Sequence, residues 1–474
     1  MSDLPARIVV IGAGISGLAA AHFIRERAKG LTIPPEIVVW EASSRAGGVI
    51  STMRRDGFLV EAGPDSLFSL KPEAETLCRQ VGLGPQIIGT RPEHRRSFVL
   101  RGNTLHPVPD GYYLLAPAKI MPFLRTPLFT WGGKVRILCD LFIPRARGND
   151  DESFGHFVRR RFGDQALERL AQPMVSAVYA SDPDALSLKS VLPQFIEMEE
   201  RRGSVIRALM LSRAKRQDSA GPRYGLFITL RSGLQSLTDT LAQRLNGRIQ
   251  LNTPVTGVSF DPQASPSQRW IIRAGTGREQ RAAALCVALP GPAAASIFGE
   301  SHPGLSRLLN EIPYRSSATI HVAYPQEAIR HPMDGFGFVV PSAENRSLLA
   351  CTFSHRKYED RAPARDALLR LFLSGEAAEA ADEPATQSKV ISDLRRILGI
   401  RIDPLWVTVH RHPLSMAQYL VGHAGRQTAI EREVGSIPGL ALAGNAYRGI
   451  GVPDCIRSAS LAADNVLNYV SRLV

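Results

Sequence analysis

Gly12-Ala13-Gly14-Ile15-Ser16-Gly17 packs three glycines into six residues, and Glu41 follows 24 residues after the last of them. Glycines so placed let a backbone come close to a charged ligand that side chains would hold away. Gly12 permits a tight turn, Gly14 permits approach to a pyrophosphate, and Gly17 permits a helix to pack closely on a strand. Glu41 offers a carboxylate to a ribose hydroxyl. This set of residues recognises a dinucleotide; it does not break bonds by itself. Elsewhere the chain shows no nucleophile–base constellation, no HExxH and no GxSxG.

The neighbouring elements must hold that loop in place. Residues 7–11, RIVVI, read as a buried parallel strand. The stretch LAAAHFIRERA after Gly17 favours a helix by propensity and spacing. Its start would present unpaired N–H groups and a positive dipole end to the phosphates. A second strand, EIVVW over 36–40, delivers Glu41. Strand, glycine loop, helix, strand and acid together carry much more weight than GxGxxG alone. Arg45, Gly47 and Gly48 come next, so a cation and two permissive positions lie near the same phosphates. After a hairpin over 50–63, Gly63-Pro64-Asp65-Ser66 reads as a tight turn.

Length and composition set the frame. A chain of 474 residues needs two or three domains, and 44% apolar residues suit globular cores. The net charge is +13. Basic residues cluster at Arg91, His94, Arg95 and Arg96, and again at Arg201, Arg202, Arg207, Arg213, Lys215 and Arg216. Neither cluster has the aromatic interleaving or module that nucleic-acid binding needs. Five dispersed cysteines with no CxxC fit a reducing compartment and argue against a disulfide framework or a metal site. No signal peptide and no run of 18 apolar residues is present. The expected location is cytoplasmic, or peripheral on the cytoplasmic face of a membrane.

The pattern GxGxxG, EAxxRxGG and GPxS resembles the amine-oxidase-like flavoproteins, which include monoamine oxidases, phytoene desaturases and protoporphyrinogen oxidases. The resemblance implies FAD, bound non-covalently once per chain. It places Gly12, Ala13, Gly14, Ile15, Ser16, Gly17, Glu41, Ala42, Arg45, Gly47, Gly48, Val49, Gly63, Pro64, Asp65 and Ser66 at the cofactor. Three later stretches resemble the protoporphyrinogen/coproporphyrinogen oxidases in particular. MVSAVYASDPDALSLKSVLP over 174–193 matches a segment near their substrate, with Ala177 and Ser181 where the family usually has glycine. GFGFVVP over 335–341 matches GFGxLVP, which sets Phe336 and Val339 against the tetrapyrrole, and Phe372 falls at a further apolar contact. GNAYRGIGVPDCI over 444–456 matches the C-terminal flavin segment, adding Gly444, Asn445, Ile450, Gly451 and Val452; Val255 falls at the adenine. Cys455 lies at a helix start expected over 455–469 and reads as a packed residue, not a flavin tether.

The implied fold is α/β plus α+β. A discontinuous Rossmann-type FAD-binding domain would comprise 1–92, 224–294 and 432–474. A mixed-sheet substrate domain would comprise 93–104 and 295–431, and a helical membrane-binding and substrate-access domain 105–223. The implied reaction oxidises protoporphyrinogen IX to protoporphyrin IX in three rounds of hydride transfer to flavin, with oxygen as acceptor, in heme biosynthesis. Coproporphyrinogen III is the alternative substrate; a carotenoid desaturase or amine oxidase is the more distant alternative. Arg96 is the cation expected at a substrate carboxylate. Asp65 either takes a pyrrole proton or caps its turn. The resemblance also suggests peripheral membrane contact, a homodimer and hand-over to ferrochelatase.

Overall fold

The computed structural model describes residues 5–146, 148, 151–216, 225–299 and 301–473. The expected 223/224 boundary and the side chains of Arg213, Lys215 and Arg216 lie outside the described residues. The chain opens with strand β1 (Arg7–Ile11), helix α1 (Ile15–Ala28), strand β2 (Glu36–Trp40) and the hairpin β3–β4 (Thr52–Arg55, Phe58–Glu61). Strands β5 (Ser97–Arg101) and β6 (Thr104–Pro107) lead into a helical stretch. Its longer members are α2 (Trp131–Leu138), α3 (Phe154–Phe162), α4 (Gln172–Tyr179), α5 (Pro193–Arg202) and α6 (Val205–Arg216). Strands β7 (Ile249–Gln250), β8 (Val255–Phe260), β9 (Trp270–Ala274), β10 (Glu279–Ala282) and β11 (Ala284–Val287) follow. Then come β12 (Tyr314–Pro325), β13 (Gly337–Val339), β14 (Ala350–Phe353), β15 (Asp366–Ser374), α7 (Pro384–Leu398), β16 (Trp406–Ala417), β17 (Leu440–Leu442) and α8 (Val452–Val470).

Two sheets organise the fold. The first is parallel, in the order β7-β2-β1-β11-β17, so its strands come from three separated stretches of the chain. β1 is buried through Val9 and Val10 on both faces, which explains its uninterrupted apolar run. α1 and α8 pack on one face, and the antiparallel β8–β9–β10 covers the other through Val258, Trp270 and Ile272. α8 begins three residues earlier than the sequence reading, because Gly451 caps it and Pro453 fits its first turn.

The second sheet is mixed and seven-stranded, in the order β16-β12-β15-β14-β13-β5-β6. Only β13 and β5 run parallel. Leu369, Leu371 and Leu373 of β15 point to a core closed by α7. The alternate residues form the opposite face. Leu368, with Ala323 and Trp406, meets Phe58 and Val60 of the hairpin. Farther along, Val99 and Val339 meet the helical stretch. Two units therefore cover one sheet face from opposite ends.

The helical stretch has its own core, built on Phe123, Phe154, Phe157, Phe162 and Phe195. At its centre Arg161 is fully buried against Asp140, N to O 2.5 Å, and donates to the carbonyls of Ile143 and Gly203. Such a pair holds only if its remaining polar atoms are also satisfied. Ser204 Oγ and the Ile206 N–H supply the second Asp140 oxygen. Among the described residues no helix is long and apolar enough to cross a membrane.

Candidate active site

The glycine loop is braced from within. Glu41 Oε2 accepts the Ala13 N–H at 2.6 Å, and Oε1 accepts the Ser43 N–H at 2.8 Å. A Cβ on Gly17 would lie 1.8 Å from the Gly12 carbonyl oxygen, so α1 can pack this closely only with glycine there. Gly14 faces open space, and α1 starts without a side-chain cap or an acid in its first turn. The start of α1 thus leaves N–H groups for an anion.

The loop after Glu41 lies directly on this one. Gly47 N–H bonds the Ala13 carbonyl at 2.8 Å, and a Cβ on Gly48 would come 3.2 Å from the Gly14 Cα. Ala42 and Val49 lie on the same loop, whose exposed tip includes Val49. Arg45 differs from expectation. Its guanidinium turns back to the carbonyls of Ala46, Gly48 and Ile50 and braces its own loop. Gly63 stacks beneath, where a Cβ would sit 1.9 Å from the Val49 carbonyl oxygen. Val255 follows Thr253, whose N–H bonds the Glu41 carbonyl at 2.8 Å.

The C-terminal segment closes the same region. Val452 and Cys455 of α8 share a core with Ile15, and Cys455 hydrogen-bonds Ser16. Burial pushes the Cys455 thiol up to about 12, so it is an inert packed group. Gly444 N–H bonds Ser458, and Asn445 Nδ2 bonds the Ser415 carbonyl at 2.9 Å. Asp454, buried, takes Lys71 Nζ at 2.6 Å and lies against Gly449 and Gly451, which fixes the path of Ile450.

Substrate candidates lie on the open face of the mixed sheet. Register pairs Val339 with Ala350, Ala350 with Phe372 and Phe372 with Thr319, so these four form one row. α4, which carries Ala177, packs against β13. Phe336 precedes β13 out of phase with Val339, so the two do not share a sheet face. Arg96 stands apart as well: it precedes β5 in phase with Phe98, which faces the α7 core, and its guanidinium pairs with Asp334 at 2.6 Å. A cavity of about 390 Å³ opens on the helical side of the row, lined by Gln172, Ser176, Arg315 and Leu349. Another of about 480 Å³ opens on the loop side, lined by Arg45, Val49, Ala62, His410 and His412.

Between the row and the loops Asp65, a residue the sequence singled out, meets two partners that it did not, Lys357 and Arg370. Asp65 is flanked by Lys357 at 3.1 Å and Arg370 at 3.3 Å. Burial opposes its charge, yet Lys357, Arg370 and hydrogen bonds from Ser66 and Lys357 hold the carboxyl well below the usual range. Thr319 Oγ1 donates to the Ala62 carbonyl, and Tyr358 OH bonds Ser66. Pro64 stands between these anchors. One signal was available in DALLRLFLS: a single arginine inside an apolar strand must have a buried partner.

Residues 15–467 match the family described as flavin containing amine oxidoreductase. The chain is 33% identical to the coproporphyrinogen III oxidase of Bacillus subtilis (strain 168), over 99% of this chain and 100% of that one. It is 26% identical to protoporphyrinogen oxidase 2 of Arabidopsis thaliana, over 98% and 94%. A crystal structure of a candidate protoporphyrinogen oxidase from Exiguobacterium sp. 255-15 superposes with a TM-score of 0.85, at 31% identity, over 98% and 99%.

The chain belongs to the flavin-containing amine oxidoreductases.

It is therefore a flavin oxidoreductase, and the family's cofactor is FAD. The residues present fit that group: an open face at Gly14, an uncapped start to α1, and an α8 that follows Gly451 without a side-chain cap. In this family member the glycine loop, the 45–49 loop, the 63–66 turn and the 444–452 segment converge, while Arg96 and Phe336 do not join Phe372 and Val339.

Proposed function

We propose that this flavin oxidoreductase oxidises a porphyrinogen to its porphyrin in heme biosynthesis. The carrying observation is near-full-length similarity to coproporphyrinogen III and protoporphyrinogen oxidases, together with a sheet-face row that runs from Thr319, bonded to the Ala62 carbonyl, through Phe372 and Ala350 to Val339. Bound FAD would supply the two-electron acceptor for each hydride leaving a meso carbon, with oxygen taking the electrons onward. The parallel sheet would then be the Rossmann-type FAD domain, in the three segments 1–92, 224–294 and 432–474. Residues 93–104 and 295–431 would form the substrate domain, and 105–223 the access domain.

The chain's own part is positioning and charge. Gly14, Gly47 and Gly48 leave room for the pyrophosphate. Glu41, which braces the loop, keeps an Oε2 lone pair for a ribose hydroxyl. Ile450 and the start of α8 would meet the flavin's pyrimidine edge, where negative charge collects on reduction. With Cys455 packed, nothing in that segment tethers the flavin, which supports a non-covalent FAD. Phe372, Val339 and Ala177 would hold the tetrapyrrole by apolar contact. The paired state of Asp65 makes it a weak proton acceptor, so it serves better as a fixed anion.

Coproporphyrinogen III is favoured over protoporphyrinogen IX. Identity is higher to the Bacillus enzyme, 33% against 26%, and four carboxylates suit cavities rimmed by Arg45, His410, Arg411, His412, Arg159 and Arg315. We also propose peripheral docking on a cytoplasmic membrane face through Met121, Trp131, Val135 and Phe142, which are 59, 70, 61 and 85% exposed. The decisive assay offers each porphyrinogen separately to the FAD-loaded protein and follows porphyrin fluorescence. Faster turnover of coproporphyrinogen III is expected; oxidation of neither would overturn the reading.

A further inference from the structure

Arg370 lies in the middle of β15, between Leu369 and Leu371, and is nearly buried. An arginine in so apolar a strand is costly unless its charge and donors are engaged. Its guanidinium makes three contacts, two to the 63–66 turn and one to its own strand. One N–H donates to the Gly63 carbonyl. Another approaches Asp65 at 3.3 Å. The planar group lies over the Phe372 ring, 4.6 Å from its centroid. Gly63 in turn abuts Val49, and the Gly47–Gly48 loop abuts Gly14. A continuous chain of contacts therefore runs from the sheet face to the glycine loop, and Arg370 is its joint.

Lys357 already neutralises Asp65, so charge balance alone does not require Arg370. What Arg370 adds is a rigid planar fork that fixes the Phe372 ring and the Gly63 carbonyl together. We infer that Arg370 is a positioning residue: it sets the spacing between the substrate-bearing row and the flavin-bearing loops. The inference rests on the porphyrinogen reading given above. A hydride transfer depends steeply on that spacing, because small misplacement costs orders of magnitude in rate.

The test compares Arg370→Lys, Phe372→Leu, Phe372→Tyr and the Arg370→Lys/Phe372→Leu double variant, all loaded with FAD. Arg370→Lys should lower kcat at least about tenfold while KM and the Kd for FAD stay within about threefold. Phe372→Leu should lower kcat as much, with KM also rising because the ring is itself a substrate contact, and Phe372→Tyr, which keeps a ring over the guanidinium, should restore kcat. The double variant should be no slower than the slower single variant, as expected for one shared contact. Unchanged kcat in Arg370→Lys, additive losses, or a loss matched by equal weakening of FAD binding would overturn the inference. If Arg370→Lys does not fold, the Phe372 pair decides: equal rates for Leu and Tyr would overturn it. A wild type that holds FAD but oxidises neither porphyrinogen would sink only the substrate reading. The visible flavin band then reports the joint directly: Arg370→Lys must shift it, and an identical band would overturn the inference.

Discussion

Asp65 brings a negative charge in beside two almost buried cations, Lys357 and Arg370. Its folded carboxyl titrates well below the ordinary range, so its contribution to stability is present above that range. The contribution is lost only as pH falls through the depressed folded value. Asp65→Asn should therefore destabilise the protein by about 3 kcal/mol in urea titrations at neutral pH, because it strands two buried charges. The gap should persist at pH 5 and narrow only in stronger acid; a gap that closes by pH 5 would contradict the ion pair. The sequence reading offered proton transfer or turn capping for this residue, since both are visible in Gly-Pro-Asp-Ser. The partners are about 290 and 305 residues away, and no local pattern could name them. Arg96 is a different case, for it pairs with Asp334 and precedes β5 in phase with Phe98. Its position in the chain was right beside the expected strand, but strand phase turned it to the other side.

At the scale of elements, consecutive residues carried the information. β1, α1, β2 and Glu41 occur where the glycine pattern required, because that pattern is itself a packing rule. Gly17→Ala tests it. The new methyl would press on the Gly12 carbonyl, so α1 must move away from the loop. The purified variant should be colourless or nearly so, with less than about a tenth of wild-type FAD by absorbance ratio; full FAD content would show that the loop has slack. The hairpin, the 335–341 strand and the last helix were equally legible as segments. The face each strand turns inward was not, because alternation on β13 and β5 is set by what packs on them: the α7 core takes Phe98 and Phe338, and the helical stretch takes Val99 and Val339.

At the scale of the whole molecule, the parallel sheet, the mixed sheet and the helical stretch meet around one row of residues. Trp131, Val135 and Phe142 are exposed on the helical stretch, whose interior holds the Arg161–Asp140 pair. Replacing Trp131 and Phe142 by Ser should weaken sedimentation with vesicles containing anionic lipid at least about fivefold, from the apolar area removed. Turnover of detergent-dispersed porphyrinogen should stay unchanged. Equal sedimentation of the variant would leave the patch without a membrane role.

The interleaved parallel sheet also sets a schedule. β17 emerges from the ribosome about 430 residues after β1, which at ordinary synthesis rates is roughly 20–90 s later. For that interval α1 lacks α8, the partner that covers it, and its glycine loop has no opposite wall. Cofactor capture is thus postponed until α8 has emerged. During the wait the exposed β11 edge and the apolar flank of α1 are what a chaperone would have to shield.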